Sequence, residues 1–137
     1  MATFQLELVS PEKLLLSRAV EMVVIPAAEG EMGVLPGHAP MIVTLRGGTI
    51  RVTDGGQETD RLFVAGGFAE VTPERVTILA DEATPVAELS KAEAERRVSQ
   101  AEAGYALACA GDSVEKREMA MARLLAMRAM RDSAEAA

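Results

Sequence analysis

Gly47-Gly-Thr-Ile-Arg-Val-Thr-Asp-Gly-Gly56 sets one short strand between two glycine pairs. Thr49 to Thr53 is rich in β-branched residues, and Asp54-Gly-Gly56 has the composition of a tight hairpin turn. Arg61 to Ala65 then runs back, Gly66-Gly67 breaks the chain again, and Thr72-Pro-Glu74 turns into Arg75-Val-Thr-Ile-Leu79. Working outward, Phe4, Leu6 and Leu8 alternate with Gln5 and Glu7, the period of a half-buried strand. Val20 to Ile25 is a mostly apolar run suited to a central strand. Strands at such even spacing, separated by Gly and Pro, predict an antiparallel sandwich or barrel over residues 1–88.

The chain has 137 residues, long enough for a core without staples. It has no Trp, three Phe and one Tyr, so that core must be aliphatic. The single cysteine, Cys109, excludes an internal disulfide, and its place in an alanine-rich helix predicts a packed thiol. The net charge of −7 is carried entirely by residues 1–88, where 13 acidic side chains face 6 basic ones. Such a surface argues against nucleic acid and against adhesion to anionic lipid. Neither a targeting segment nor a membrane span is expected.

At Ser90 the pattern changes. Ser90-Lys-Ala-Glu93 reads as a capping box in which Ser90 accepts a backbone N–H and Glu93 reaches back to the cap. Ala94, Val98, Ala101, Tyr105 and Ala108 follow at helical spacing, and Gly111 ends the segment. Asp112-Ser-Val-Glu115 caps a second helix expected to run to about Arg131, with Asp132 onward frayed. Residues 89–137 thus predict an antiparallel two-helix hairpin. On the second helix Val114, Met121, Leu124 and Leu125 share a face that also holds Arg117 and Arg128. Met119, Ala122, Ala126, Ala129 and Met130 cover most of the remainder. Either Ala and Met are helix formers and fillers there, or the helix exchanges one packing surface for another.

The segment Glu29-Gly-Glu-Met-Gly-Val-Leu-Pro-Gly-His-Ala-Pro40 holds three glycines and two prolines. Gly30, Gly33 and Gly37 permit positive φ, and Pro36 and Pro40 fix theirs, so a loop of defined shape is expected. It would present Glu29, Glu31 and His38 as a docking surface. His38 has no ligand-spaced partners, so no metal site is expected, and the enzyme reading lacks a P-loop, a nucleophile elbow or a Ser/His/Asp arrangement. A free-standing sugar- or peptide-binding sandwich would be expected to offer aromatic platforms, which this chain lacks.

That loop, with Gly48-Thr-Ile-Arg51, Gly66-Gly-Phe-Ala-Glu-Val71, Val76-Thr-Ile-Leu-Ala-Asp81 and the helical hairpin, resembles the epsilon subunit of the F-type ATP synthase. The resemblance implies a sandwich of about ten strands and a two-helix C-terminal domain in the central rotor of a proton-driven enzyme. The implied partners are the gamma subunit, the ring of c subunits and, through the helices, the alpha and beta catalytic subunits. The implied place is peripheral, on the cytoplasmic face of a bacterial inner membrane. Ser10, Glu29, Glu31, Gly33, Gly37, His38 and Ala39 match its ring-facing surface.

Some members of that family bind ATP through an Ile/Leu-Asp-x-x-Arg-Ala pattern. Here the matching positions read Leu89-Ser90-Lys-Ala-Glu93-Ala94, so Ser90 and Glu93 replace the acid and the arginine. A phosphate site that exchanges arginine for a carboxylate becomes repulsive, and neither ATP nor another cofactor is expected. The helices of many relatives brake ATP hydrolysis with basic residues, a role for which Arg117, Arg123, Arg128 and Arg131 are the candidates.

Overall fold

The computed structural model describes residues 2–136, so Ala137 of the expected frayed end lies outside the described residues. Ten strands precede two helices. They are β1 (Phe4–Val9), β2 (Leu14–Val20), β3 (Met22–Ala27), β4 (Gly30–Val34), β5 (Met41–Leu45), β6 (Gly48–Asp54), β7 (Gln57–Val64), β8 (Gly67–Val71), β9 (Arg75–Ala80) and β10 (Ala83–Pro85). A single 3-10 turn at Val86–Glu88 leads into α1 (Lys91–Cys109) and α2 (Val114–Ala136).

The ladder runs β10-β7-β6-β3-β5-β8-β9-β1-β2, with β4 on the other edge of β3. All pairs are antiparallel except β1 with β9. The two layers meet at β3. Met22, Val23 and Val24 pair with β6, whereas Ala27 pairs with Leu45 of β5. Pro26 sits at this change of partner, where a missing N–H costs nothing, and its carbonyl accepts the Arg46 N–H at 2.9 Å. Gly48 packs directly on it: a Cβ there would lie 2.7 Å from the Pro26 Cβ. One layer is therefore β10-β7-β6-β3-β4 and the other β5-β8-β9-β1-β2.

Between the layers lies an aliphatic core in which Leu6, Leu8, Ile25, Ile50 and Ile78 are fully buried and Phe4 is the one aromatic ring. The β6–β7 turn uses Gly55 and Gly56 at φ 63° and 75°, the left-handed values that a two-residue hairpin demands. Glu21 accepts both their amide protons. Across the open side, Arg18 of β2 pairs with Asp60 of β7.

The region expected as a loop is partly a strand. Gly30–Val34 forms β4, in register with β3 from Val23↔Val34 to Ala27↔Gly30. Gly33 consequently lies in β4 and is not among the positive-φ glycines, while Gly30 and Gly37 are. Only residues 35–40 remain irregular.

The hairpin lies on the outer face of β6 and β7. Alternation along β7 sends Leu62 and Val64 into the sandwich and Phe63 outward, where it is 1% exposed beneath Ala94, Val98, Leu124, Met127 and Met130. Gly47 admits α2 closely, since a Cβ there would sit 2.7 Å from the Ala126 Cα. The hydroxyls of Thr49 and Ser133 are 2.7 Å apart, and Arg123 pairs with Glu82 at 2.8 Å.

Several expectations for the helices are corrected. Ser113, not Asp112, caps α2, accepting the Lys116 N–H at 3.2 Å. The helix continues to Ala136 instead of fraying from Asp132, because Ser133 and Ala134 have partners on the first 89 residues or within the hairpin core. α1 ends at Cys109, two residues before Gly111. The buried face of α2 is centred on Met127 with Leu124, Ala126 and Met130, whereas Val114 and Leu125 of the expected stripe are exposed.

Replacing Phe63 by Ala should cost about 3–5 kcal/mol where it is buried, and Gly47→Val should force α2 off its seat. Hydrogen exchange is the readout: amides of α2 should lose protection in both variants while those of β1, β8 and β9 keep theirs.

Candidate functional site

The candidate docking residues fall into two groups. Ser10 follows β1, whose Val9 pairs with Leu79 near the end of β9. Its hydroxyl closes a turn onto the Lys13 carbonyl at 3.3 Å. Glu29 occupies the exposed turn between β3 and β4, and Ala27 beside it is level with Leu45, hence with Gly67 and Ala80. Glu31, on β4, pairs with Arg51 of β6 at 3.0 Å. These three belong to the Ala80 end of the strands.

Gly37, His38 and Ala39 belong to the other end. The Gly37 N–H donates to the Pro73 carbonyl at 2.9 Å, in the turn that precedes Arg75. From Arg75 to Ala80 the strand advances about 17 Å, so the structure does not bring His38 together with Ser10. The His38 Nδ1 lies 2.8 Å from the Ala39 carbonyl, which gives the ring a local backbone partner. Gly33 stands between the groups, its Cα facing the Met22 Cε.

A surface that sequence reasoning missed lies on the outer face of the β5-β8-β9 layer. Phe68 pairs with Leu79 across β8–β9 and with Thr44 across β5–β8, and Ile42 stands two residues from Thr44 on the same face. Ile42, Phe68 and Leu79 are 76%, 50% and 42% exposed, so three large apolar side chains sit together in water. Alternation carried this signal: Ile42 and Phe68 occupy the positions of β5 and β8 that do not point into the core.

At the start of α1 only half of the expected capping box exists. Ser90 Oγ accepts the Glu93 N–H at 3.3 Å, but the Glu93 carboxylate turns away to Arg96 and to Arg97 Nε, the latter at 3.2 Å. Two guanidinium groups within one helical turn outcompete a backbone amide for the charge. Hydrogen bonds from Arg96 and then Arg97 lower its pKa from 4.5 to about 2. Of the four candidate arginines, Arg123 pairs with Glu82, and Arg131 approaches Asp132 at 3.8 Å. Arg117 and Arg128 make no ion pair among the described residues. Cys109 is exposed and not packed, although hydrogen bonding to it raises the Tyr105 pKa.

Among the described residues no three His, Cys, Asp or Glu side chains are placed to hold a metal, and no helix is long and apolar enough to cross a membrane. What the fold offers is interface: a stiff two-layer sandwich covered on one side by its own helices and bearing an apolar patch on the other. This is the construction of a subunit that docks in a larger assembly.

The family described as ATP synthase, Delta/Epsilon chain, beta-sandwich domain matches residues 3–86. A protein of Granulibacter bethesdensis named ATP synthase epsilon chain is 63% identical over 134 residues, covering 98% of each chain. One of Rhodospirillum rubrum with the same name is 48% identical over 124 residues, 90% of this chain and 91% of that one. A chain in the cryo-EM structure of the Euglena gracilis mitochondrial ATP synthase, OSCP/F1/c-ring in rotational state 1, superposes with a TM-score of 0.77 at 26% identity, over 97% of this chain and 82% of its own. A chain of the Tetrahymena thermophila mitochondrial ATP synthase central stalk and c-ring shares the fold, with a TM-score of 0.71 at 14% identity over 96% of each. The chain belongs to the family of ATP synthase epsilon chains.

Two outcomes are expected at the Glu93 site. Because its folded pKa lies below the unfolded value, its contribution to stability is complete above pH 4.5 and is lost as pH falls towards 2. NMR titration of the Glu93 carboxyl should therefore show a midpoint near 2, and Arg96→Ala with Arg97→Ala should return it towards 4.5. Calorimetric titration with ATP should show no binding at millimolar concentration.

Proposed function

We propose that the chain is a rotor part of an F-type ATP synthase, transmitting torque between a proton-driven c ring and the catalytic head. It has no catalytic residues of its own and sits peripherally on the cytoplasmic face of a bacterial inner membrane. The observation that carries this reading is the apolar triangle of Ile42, Phe68 and Leu79 on a layer whose other side is a fully buried aliphatic core. A patch of that kind in a chain with this charge needs a permanent cover, and the gamma subunit is the cover proposed. A sandwich with both faces engaged resists shear between its partners.

The Ala80 end, with Ser10, Glu29 and Glu31, is assigned to the c ring. A groove of about 500 Å³ starts at Glu29 and Glu31 and runs along β5 towards Met41 and Ile42. Exposed carboxylates are worth only about 0–1 kcal/mol each against basic loops, so they orient the contact and shape supplies the affinity. Gly37, His38 and Ala39 adjoin Met41 and Ile42 in sequence and are assigned to the gamma side instead. Gly33 keeps β4 flat between the two.

Residues 1–88 form the docking unit and residues 89–137 a regulatory unit that rests folded on it. Arg117 and Arg128 are the arginines free to meet the alpha and beta subunits, since Arg123 and Arg131 already have acidic neighbours. Gel filtration with purified gamma subunit should show co-elution, and Phe68→Asp should weaken the complex at least about tenfold, the scale of an interface hot spot. Unchanged binding would remove the patch from the interface. Deleting residues 89–137 in the whole enzyme should raise ATP hydrolysis, and unchanged hydrolysis would mean that the helices are no brake.

A further inference from the structure

On the outer face of the β5-β8-β9-β1-β2 layer the register lines up one residue from every strand. Thr44 stands opposite Phe68, Phe68 opposite Leu79, Leu79 opposite Val9, and Val9 opposite Leu14. Neighbouring strands lie about 4.8 Å apart, so the row is about 19 Å long. All its side chains but Thr44 are apolar. The patch of Phe68 and Leu79 is thus part of a longer line that runs to β2, the last strand of the ladder.

Leu14 joins that line through an irregularity. The β1–β2 ladder shifts between Leu8↔Leu16 and Val9↔Leu14, which leaves Leu15 as an extra residue. Without this bulge Leu14, two residues from Leu16, would share its inward face. Leu15 and Leu16 pack against the aliphatic core, whereas Leu14 is turned out and is 57% exposed. Bulges re-aim side chains, and this one adds a leucine to a surface that is already apolar.

The shape of the row selects what covers it. The next outward row holds Glu70, Thr77, Glu7 and Ser17, polar on every strand except β5, where Ile42 stands. On the other side of the row β1 and β9 end, at Val9 and Ala80. A second sheet packed face to face needs apolar residues at successive outward positions of each strand, and most strands here offer one. A strand added along the edge of β2 would leave Phe68 and Leu79 bare. A helix laid across the strands fits, because residues three or four apart on one of its faces rise about 4.5–6 Å, close to the strand spacing. Charge takes no part in the choice. Glu12, Lys13, Arg46, Glu70 and Asp81 stand beside the row without an ion pair among the described residues, and they are of both signs.

We infer that gamma meets this layer with a single helix laid across its strands, anchored on Ile42 and Phe68 at one end and on Leu14 at the other. This rests on the docking of gamma proposed above and adds to it a direction, a length and an anchor. A run of about 19 Å takes about 13 residues of helix. Ser10 follows Val9 directly, so the gamma contact and the side assigned to the c ring adjoin there.

Three measurements test it. In calorimetric titration of purified gamma subunit with the full chain, Leu14→Asp should weaken binding about tenfold, as expected for an anchor. Ala19→Asp, exposed on the same strand but two rows away, should change nothing. Short-reach photo-crosslinking does not depend on lost binding. A benzophenone side chain placed at Thr44 and, separately, at Leu14 should mark one gamma segment at points about 13 residues apart. Points about six residues apart would mean a strand, and two unrelated segments or no product from Leu14 would mean that no one helix spans the row; each overturns the inference. Light scattering should show the chain alone to be monomeric, whereas a dimer lost in Leu14→Asp would assign the row to a second copy and overturn it too. If Leu14→Asp binds as the native chain does while Phe68→Asp does not, the inference fails and the gamma reading stands. If Phe68→Asp also binds normally, both fail together.

Discussion

One strand serves two cores. On β7 the alternation of a pleated backbone sends Leu62 and Val64 into the sandwich and Phe63 into the helical cluster, and all three are buried. A slip of one residue in the β6–β7 register would exchange them, putting a phenyl ring into a closely packed aliphatic core and two smaller chains under the helices. The register is held at its far end by Gly55 and Gly56, whose amides are taken by Glu21. The seat of the hairpin therefore depends on a turn at the opposite end of the strand. The hairpin and the sandwich are coupled through a single element that cannot adjust for one without disturbing the other.

The contact that results is strong in the middle and light at its margin. Phe63 is enclosed, yet around it the hairpin meets the sandwich through a glycine, an alanine, two hydroxyls and one half-exposed ion pair. Small residues permit close approach without interdigitation, and an exposed ion pair adds little. Parting such a boundary would expose Phe63 but leave the sandwich intact, because the sandwich has its own complete interior. The other face of the molecule is arranged in the opposite sense, with large apolar side chains and no cover.

Much of this was legible in the sequence because the relevant signals are periodic. The alternation of Phe4, Leu6 and Leu8, the glycine pairs and the Ser90 boundary each reported a local backbone preference that packing later respected. β4 was hidden because Gly30 and Gly33 read as loop residues, while its pairing is imposed by β3 from outside. The buried face of α2 leaves no clear signal in the sequence because Ala and Met lie all round the helix, and only the position of Phe63 decides which side is inward. Glu93 has the spacing of half a cap, but two arginines three and four residues on have the stronger claim on its charge. Ser10 and His38 were grouped by resemblance, and no local pattern reveals that β1 and β9 run parallel and so place them at opposite ends.

That parallel pair also orders events during synthesis. Gln5 is matched to Arg75, so the first strand obtains its second neighbour only after most of the sandwich sequence has emerged. Until then the β1–β2 hairpin exposes Phe4, Leu6 and Leu8 to water with nothing to cover them. Contacts of such long sequence separation form late and together. The layer that holds β1 therefore cannot close until β9 has left the ribosome.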